Sequence, residues 1–378
     1  MSQDTTQGSD AGTGAAASSQ DKAPSQGSAA SMDGPTTPGG PAAPVSSGGA
    51  GARLRGLLDG GAGRNLGLVI VLGLILLVGV VTAGQQFASV ENIMTILRLA
   101  AVIGVVSVGM TFVITGGGID LSVGSVLGLA SVWASTLATQ MMAQDTHWIV
   151  MVFTALVVGT AAGLVNGALI AYGKVVAFIA TLAMLVAARG VAEIIAQRRT
   201  QIVTDDGFLD FFRADLLGVS VLVWIFVAVA VAGWFLLNRT TFGRRTVAVG
   251  GNPEAARLAG IKVKRHTLYL YALSGFTAGI AGVMMLARTT AGSSTNGTLY
   301  ELDAIAAVVV GGTLLAGGRG TIVGTVFGVL IFAVLTNVFI QNNLSISSQS
   351  IAKGAIIVVA VLLQQRFAAR RTTRVRAS

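Results

Sequence analysis

Apolar runs long enough to cross a lipid bilayer recur along most of the chain. They lie near residues 66–83, 98–115, 121–142, 148–171, 176–197, 219–237, 266–287, 302–316, 321–340 and 351–364. Each holds about 15–22 residues, and a helix needs about 20 to cover the hydrocarbon core. The pattern predicts an all-α polytopic membrane protein with about ten transmembrane helices. An even number of crossings puts both termini on one side. The runs at 302–316 and 351–364 are the shortest, and a tilted or partly re-entrant course is the alternative for each.

The polar intervals divide the rest. Residues 1–52 are rich in Gly, Ala, Ser, Thr and Pro. Such a segment buries too little apolar surface to offset its ordering entropy, and it is expected to be a disordered tail. It lacks the basic start and apolar core of a signal peptide. A transmembrane domain over 53–365 follows, then a basic tail over 366–378. The longest polar interval between runs is 238–265, where Arg239, Arg244, Arg245, Arg257, Lys262, Lys264 and Arg265 face one acid, Glu254.

Composition supports the membrane class. The chain is 53% hydrophobic and only 11% charged, whereas soluble domains are about a quarter charged. Its net charge of +9 sits in loops and tails beside apolar runs, which points to a bilayer and not to nucleic acid. Arg53, Arg55, Arg64, Lys174, the 238–265 interval, Arg319 and the tail arginines all fall on one side of a ten-span topology. The positive-inside bias makes that side, and both termini, cytoplasmic. The opposite side receives 198–218, where Arg198, Arg199 and Arg213 are balanced by Asp205, Asp206, Asp210 and Asp215. There is no cysteine, which excludes disulfides and thiolate chemistry. His147 and His266 stand alone near run boundaries, as structural residues do.

Glycine, at 50 residues, reads mainly as a packing device. Gly124 and Gly128, Gly163 and Gly167, Gly275 and Gly279, and Gly320, Gly324 and Gly328 are spaced four apart. That spacing lets helix backbones approach closely in lipid. VGSVLG at 123–128 is echoed by VGTVFG at 323–328, as a shared packing solution or by chance.

Candidate chemistry is sparse. In TFVITGGGIDLSVGS (111–125) three glycines break an apolar run and Asp120 precedes the next one. At membrane depth Asp120 is a functional candidate; at the surface it is a helix cap. Arg189 and Glu193, four apart, are placed to pair on one helix face. Thr115, Asn166, Thr181, Thr336 and Asn337 are polar groups inside apolar runs, serving a passing solute or neighbouring helices. Together Thr115, Asp120, Asn166, Thr181 and Asn337 form the candidate translocation path. GTLLAGGR (312–319) begins like a phosphate loop but has Gly318 where the lysine belongs. No nucleophile–base arrangement or metal-ligand cluster appears, so neither an enzyme nor a metal site is expected.

Within the basic interval a short helix is written out in full. Asn252 caps the first free N–H groups, and Pro253 fits the first position because its missing N–H would be unsatisfied anyway. Glu254 favours the positive helix start, and Gly260 supplies a left-handed stop. About two turns result, too few to stand alone in water. Ala255, Leu258 and Ala259 form a small apolar face. The alternative is a solvated basic loop.

From about residue 66 to 364 the chain resembles the permease of bacterial ABC importers for monosaccharides, the ribose-transport type. The resemblance rests on TFVITGGGIDLSVGS (111–125), NGALIAYGKVVAFIATLAMLVAARG (166–190), GRRTVAVGGNPEAARLAGIKVKR (243–265) and ELDAIAAVVVGGTLLAGGRGTIVG (301–324). It implies two permease subunits, identical or paralogous, around a central path. A separate ATPase pair, carrying ATP and Mg, docks below, and an extracytoplasmic sugar-binding protein delivers substrate. No cofactor is expected on this chain. The resemblance implies that Asn252, Pro253, Glu254, Ala255, Ala256, Arg257, Leu258 and Gly260 form the ATPase-coupling element. Two other classes fit less of the sequence. An ion-coupled secondary transporter usually needs intramembrane acids, and a non-transporting scaffold leaves the polar residues within spans unexplained.

The N-terminal tail has no apolar surface with which to dock. Deleting residues 2–48 should leave uptake within about a factor of two, an effect under ~0.5 kcal/mol. Loss of ATPase co-purification from that variant would make the tail a docking element.

Overall fold

The computed structural model describes residues 61–356, 358, 359 and 362, with side chains from Leu66 onward. The expected tail over 1–52, Arg53, Arg55 and the basic tail over 366–378 lie outside the described residues, as does the end of the run at 351–364.

The helices are α1 (Gly61–Phe87), α2 (Val90–Thr115), α3 (Val123–Ala134), α4 (Leu137–Asp145), α5 (Ile149–Ala171) and α6 (Ala177–Ala196). After strand β1 (Gln201–Ile202) come α7 (Asp206–Arg213) and the strands β2 (Asp215–Leu216) and β3 (Val219–Ser220). The chain continues through α8 (Val221–Arg239), α9 (Thr241–Gly251), α10 (Pro253–Leu258) and α11 (Val263–Thr289). Strand β4 (Ala291–Gly292), α12 (Tyr300–Val310) and α13 (Ile322–Gln341) follow, and residues 346–356 are again helical.

Among the described residues seven helices are long and apolar enough to cross a membrane: α1, α2, α5, α6, α8, α11 and α13. They match seven of the expected runs. The run at 121–142 is the bent pair α3 and α4, which break by 55° and make an eighth span if counted as one. Ser135 and Thr136 account for the bend: Thr136 leaves the helical region, and its hydroxyl caps α4 by accepting the Thr139 N–H. The run at 302–316 is helical only as far as Val310, the end of the 11-residue α12, because Gly311 and Gly312 close the helix and Gly312 turns left-handed at φ 90°.

α2 and α11 are the most buried spans, and α11 packs against α5, α2 and α3. The α5–α11 crossing is made of glycine on both sides. A methyl added at Gly159 would run into the Gly275 carbonyl, one at Gly163 into the Tyr271 carbonyl, and one at Gly275 into the Gly159 carbonyl. Backbone therefore lies on backbone, the geometry that small residues four apart permit in lipid. About two turns further along α11, a Cβ added at Gly282 would lie 3.0 Å from Leu127 O and Ala130 Cβ on α3. Gly324 and Gly328 seat α13 on α12 in the same way, against Gly311 and Ala307. Gly320, just before α13, abuts Thr115.

The acidic interval 198–218 folds into a cap at one end of α8. Asp205 caps α7 by accepting the Phe208 N–H at 2.8 Å, and Phe208, Phe211 and Phe212 cluster with Trp148. β2 and β3 pair antiparallel, Asp215 opposite Ser220, while β1 pairs with β4, Gln201 opposite Gly292. Arg98 reaches Asp215 at 3.3 Å.

The glycine crossing sets a mutational contrast. Gly163→Leu should abolish recovery of folded protein, because the side chain meets backbone that has no rotamer to yield. Gly190→Ala, with nothing within 4 Å of the new Cβ, should be neutral or stabilising by up to ~1 kcal/mol. Thermal aggregation of the detergent-solubilised protein measures both, and equal behaviour would refute the contact.

Candidate functional site

At the other end of α8 the basic interval is ordered throughout. Thr240 caps α9 by accepting the Gly243 N–H at 3.3 Å, so the stretch expected as loop is helical here. Its signal is Thr240 three residues before Gly243, followed by no breaker until Gly250, but two exposed arginines and three glycines over 241–251 mask the periodicity. Tertiary contacts hold α9 in place. The Thr246 hydroxyl shares a 2.9 Å hydrogen bond with His266 Nε2 on α11, and both residues are buried. Gly250 lies on the Thr115 carbonyl and beside Gly318.

α10 follows at once. The Asn252 carboxamide oxygen accepts the Ala255 N–H at 3.0 Å, Pro253 opens the helix, and Glu254 pairs with Arg257 at 2.8 Å. At the C-terminus Gly260 sits at φ 82°. The Ile261 N–H bonds Ala256 O and the Gly260 N–H bonds Arg257 O, each at 3.0 Å, which satisfies carbonyls the helix leaves free. Ala256 faces inward at 4% exposed, whereas Glu254, Ala255, Arg257 and Ala259 are exposed. Leu258 is 78% exposed. A six-residue helix fixed at both ends thus presents a bare leucine between charged neighbours.

The five candidate path residues are all buried, at 2% exposed or less. Thr115 donates to Thr111 O at 2.5 Å, and its own carbonyl accepts the Gly318 N–H at 2.9 Å. Thr181 donates to Ala177 O on its own helix at 2.9 Å. Asn337 and Asn92 exchange reciprocal amide bonds at 2.8 and 3.0 Å, joining α13 to α2. Asp120 takes the Ser122 N–H at 3.0 Å and the Ser122 hydroxyl at 2.6 Å on Oδ1, and the Ser274 hydroxyl at 2.8 Å on Oδ2. Asn166 Nδ2 donates to Ser122 Oγ at 2.9 Å, while its Oδ1 has no partner among the described residues. The structure brings Asp120 and Asn166 into one network that ties the α2–α3 break to α5 and α11. Thr115, Thr181 and Asn337 stand outside it.

The expected Arg189–Glu193 pair does not form an ion pair. Arg189 Nη1 instead donates to the backbone carbonyls of Ser294 and Asn296, and Glu193 pairs with Arg198 at 3.5 Å. Two fixed carbonyls beside Arg189 hold its guanidinium away from Glu193. Residues 312–319 form a tight turn with Gly317 and Gly318 left-handed, packed under Thr115 and Gly250, with no phosphate-loop geometry. The second histidine, His147, accepts the Ile149 N–H at 3.2 Å. No group of three or more metal-ligating side chains occurs among the described residues.

A family model described as branched-chain amino acid transport system / permease component matches residues 92–361. The chain belongs to that family of transport permeases. It is accordingly a multi-pass protein of the plasma membrane and a translocation subunit, not an enzyme. It is 41% identical over 303 residues to the ribose import permease protein RbsC of Haemophilus influenzae, covering 77% of this chain and 90% of the relative. The RbsC of Bacillus subtilis is 42% identical over 300 residues, covering 78% and 91%. The L-arabinose ABC transporter permease protein AraH of Azospirillum brasilense is 36% identical over 298 residues, covering 79% and 86%. No solved structure matches the chain.

The Asp120 network yields a graded expectation. Asp120→Ala strands the buried Ser122 and Ser274 donors, at about 1–3 kcal/mol each. Asp120→Asn keeps an acceptor for Ser122 and loses only that for Ser274, so its thermal midpoint in detergent should fall between wild type and the alanine variant. Identical midpoints for the two variants would show that the network does not brace the break.

Proposed function

We propose that this chain is the membrane permease subunit of an ABC importer for a pentose or a related small polyol. The substrate class comes from the ribose and arabinose permeases it is similar to. Partners are a separate ATPase that binds and hydrolyses ATP with Mg, an extracytoplasmic binding protein, and a second permease subunit, here a copy of this chain. In this reading the chain crosses ten times. The seven long helices and the bent α3–α4 pair account for eight crossings. The α12 region and the stretch from residue 346 onward supply the remainder. The basic end bearing α9 and α10 is cytoplasmic, with both termini, as the excess of arginine and lysine there favours.

The observation that carries the reading is α10: a capped helix, anchored through α9 to α2 and α11, that leaves Leu258 at 78% exposed. Its occupant is a groove on the ATPase. Asn252, Pro253 and Gly260 pre-form the helix. Ala255 and Leu258 supply apolar contact, Glu254 and Arg257 flank it, and Ala256 fixes the helix to its own chain. ATP-driven motion of the ATPase then moves a rigid body.

Leu258→Asp should remove an apolar anchor worth about 1.5–3 kcal/mol and weaken ATPase association on the order of tenfold or more. Gly260→Val forces a left-handed conformation costing about 1–2 kcal/mol and should uncouple hydrolysis from uptake. Neither lies in a span, so abundance should hold. Normal ATPase co-purification and normal uptake of radiolabelled ribose in both variants would refute the role of α10.

A further inference from the structure

Between β4 and α12, residues 293–299 form neither helix nor strand. The segment runs antiparallel along α3. Gly292 lies against Ser135, Asn296 O against Gly128, and Gly297 against Gly124, each so close that an added methyl would collide. From residue 124 to 135 an α-helix rises about 16 Å, roughly half the hydrocarbon thickness. Irregular backbone therefore extends well down an element that, with α4, passes as a span. At that depth its free N–H and C=O groups are tolerated only against protein or against water.

One side of this strap is against protein. Arg189 holds the Ser294 and Asn296 carbonyls, and Asn296 Nδ2 donates to Ser131 Oγ at 3.2 Å and Ala291 O at 3.1 Å. The other side is open, with Leu299 half-exposed beside two threonines. Thr295 and Thr298 are exposed, and their hydroxyls bond only within the strap, Thr295 to Ser293 and Thr298 to the Thr295 carbonyl. At its foot Glu301 is 9% exposed and turned toward Gly124, its Oε2 sealed from solvent and lacking a donor among the described residues. Open hydroxyls on irregular backbone at this depth are matched by water or by a solute rich in hydroxyl groups.

We propose that the strap 293–301 is a wall of the solute path, with Thr295 and Thr298 facing a polyhydroxy solute. Arg189, on α6, is the positioning residue that holds the strap by its Ser294 and Asn296 carbonyls. The inference rests on the transport reading above and gives it a site. It differs from the five polar residues inside the spans, which are buried and bonded within the chain or, for Asn166 Oδ1, closed off from any solute.

The cysteine-free chain allows a direct test in membranes holding the assembled importer. Thr295→Cys and Thr298→Cys are each treated with a water-soluble cationic methanethiosulfonate and, separately, with a lipid-partitioning maleimide. Buried Thr181→Cys is the reference. The expected result is reaction with the water-soluble reagent about tenfold faster than the reference, with loss of radiolabelled ribose or arabinose uptake on labelling. Reaction with the maleimide alone places the strap against lipid and overturns the proposal. No reaction with either reagent places it under another subunit and also overturns it. Reaction with the aqueous reagent in a protein that takes up neither sugar refutes the sugar assignment and leaves the wall standing.

Discussion

The contact on which the rest of the bundle depends is the crossing of α5 and α11, where Gly159, Gly163 and Gly275 put backbone against backbone. In lipid no hydrophobic drive pulls helices together, because acyl chains are as apolar as leucine. Association relies on van der Waals contact and interhelical hydrogen bonds, and both require close approach. Ser274, the neighbour of Gly275, donates to Asp120 at 2.8 Å from the same helix. The α2–α3 break is thus held by a carboxylate whose partners come from its own loop and from α11, with Ser122 in turn bonded from α5.

The spans were legible because hydropathy is a long-range average that survives local error. Gly311 and Gly312 show its limit: they lie in an apolar run, yet they stop α12 at Val310. α10 was legible for a different reason, since Asn252, Pro253 and Gly260 each act through a local conformational preference that needs no tertiary partner. α9 was hidden, its helix set by the Thr246–His266 bond and the seat of Gly250 on Thr115, which no window on the sequence contains. The strap was hidden too. Gly124 and Gly128 have the spacing of a helix-packing motif, but what lies against them is the irregular chain at 296 and 297. Arg189 shows the same limit, because its proximity in sequence to Glu193 says nothing of carbonyls contributed by residues over a hundred positions away.

Polar residues within the spans fall into two physical classes. Asn92 with Asn337, and Thr111 with Thr325 at 2.8 Å, bond side chain to side chain between helices and hold register where lipid offers no other partner. Thr181 bonds its own preceding turn. Asn166 stands outside both classes, its Oδ1 without a partner among the described residues, as is Glu301 Oε2 at the start of α12.

α11 is 27 residues long, about 40 Å of helix, and its glycine crossing lies near the middle. A rod pinned at its centre is a lever of nearly equal arms. One arm ends at Val263, beside α10; the other ends at Thr289, where the chain turns into β4 and the strap. A tilt imposed at the α10 end appears at the strap end with similar amplitude and opposite sense. The fulcrum is rigid for the reason that it is bare: with no side chain between the backbones, there is nothing to compress, and the stroke is not lost in the joint.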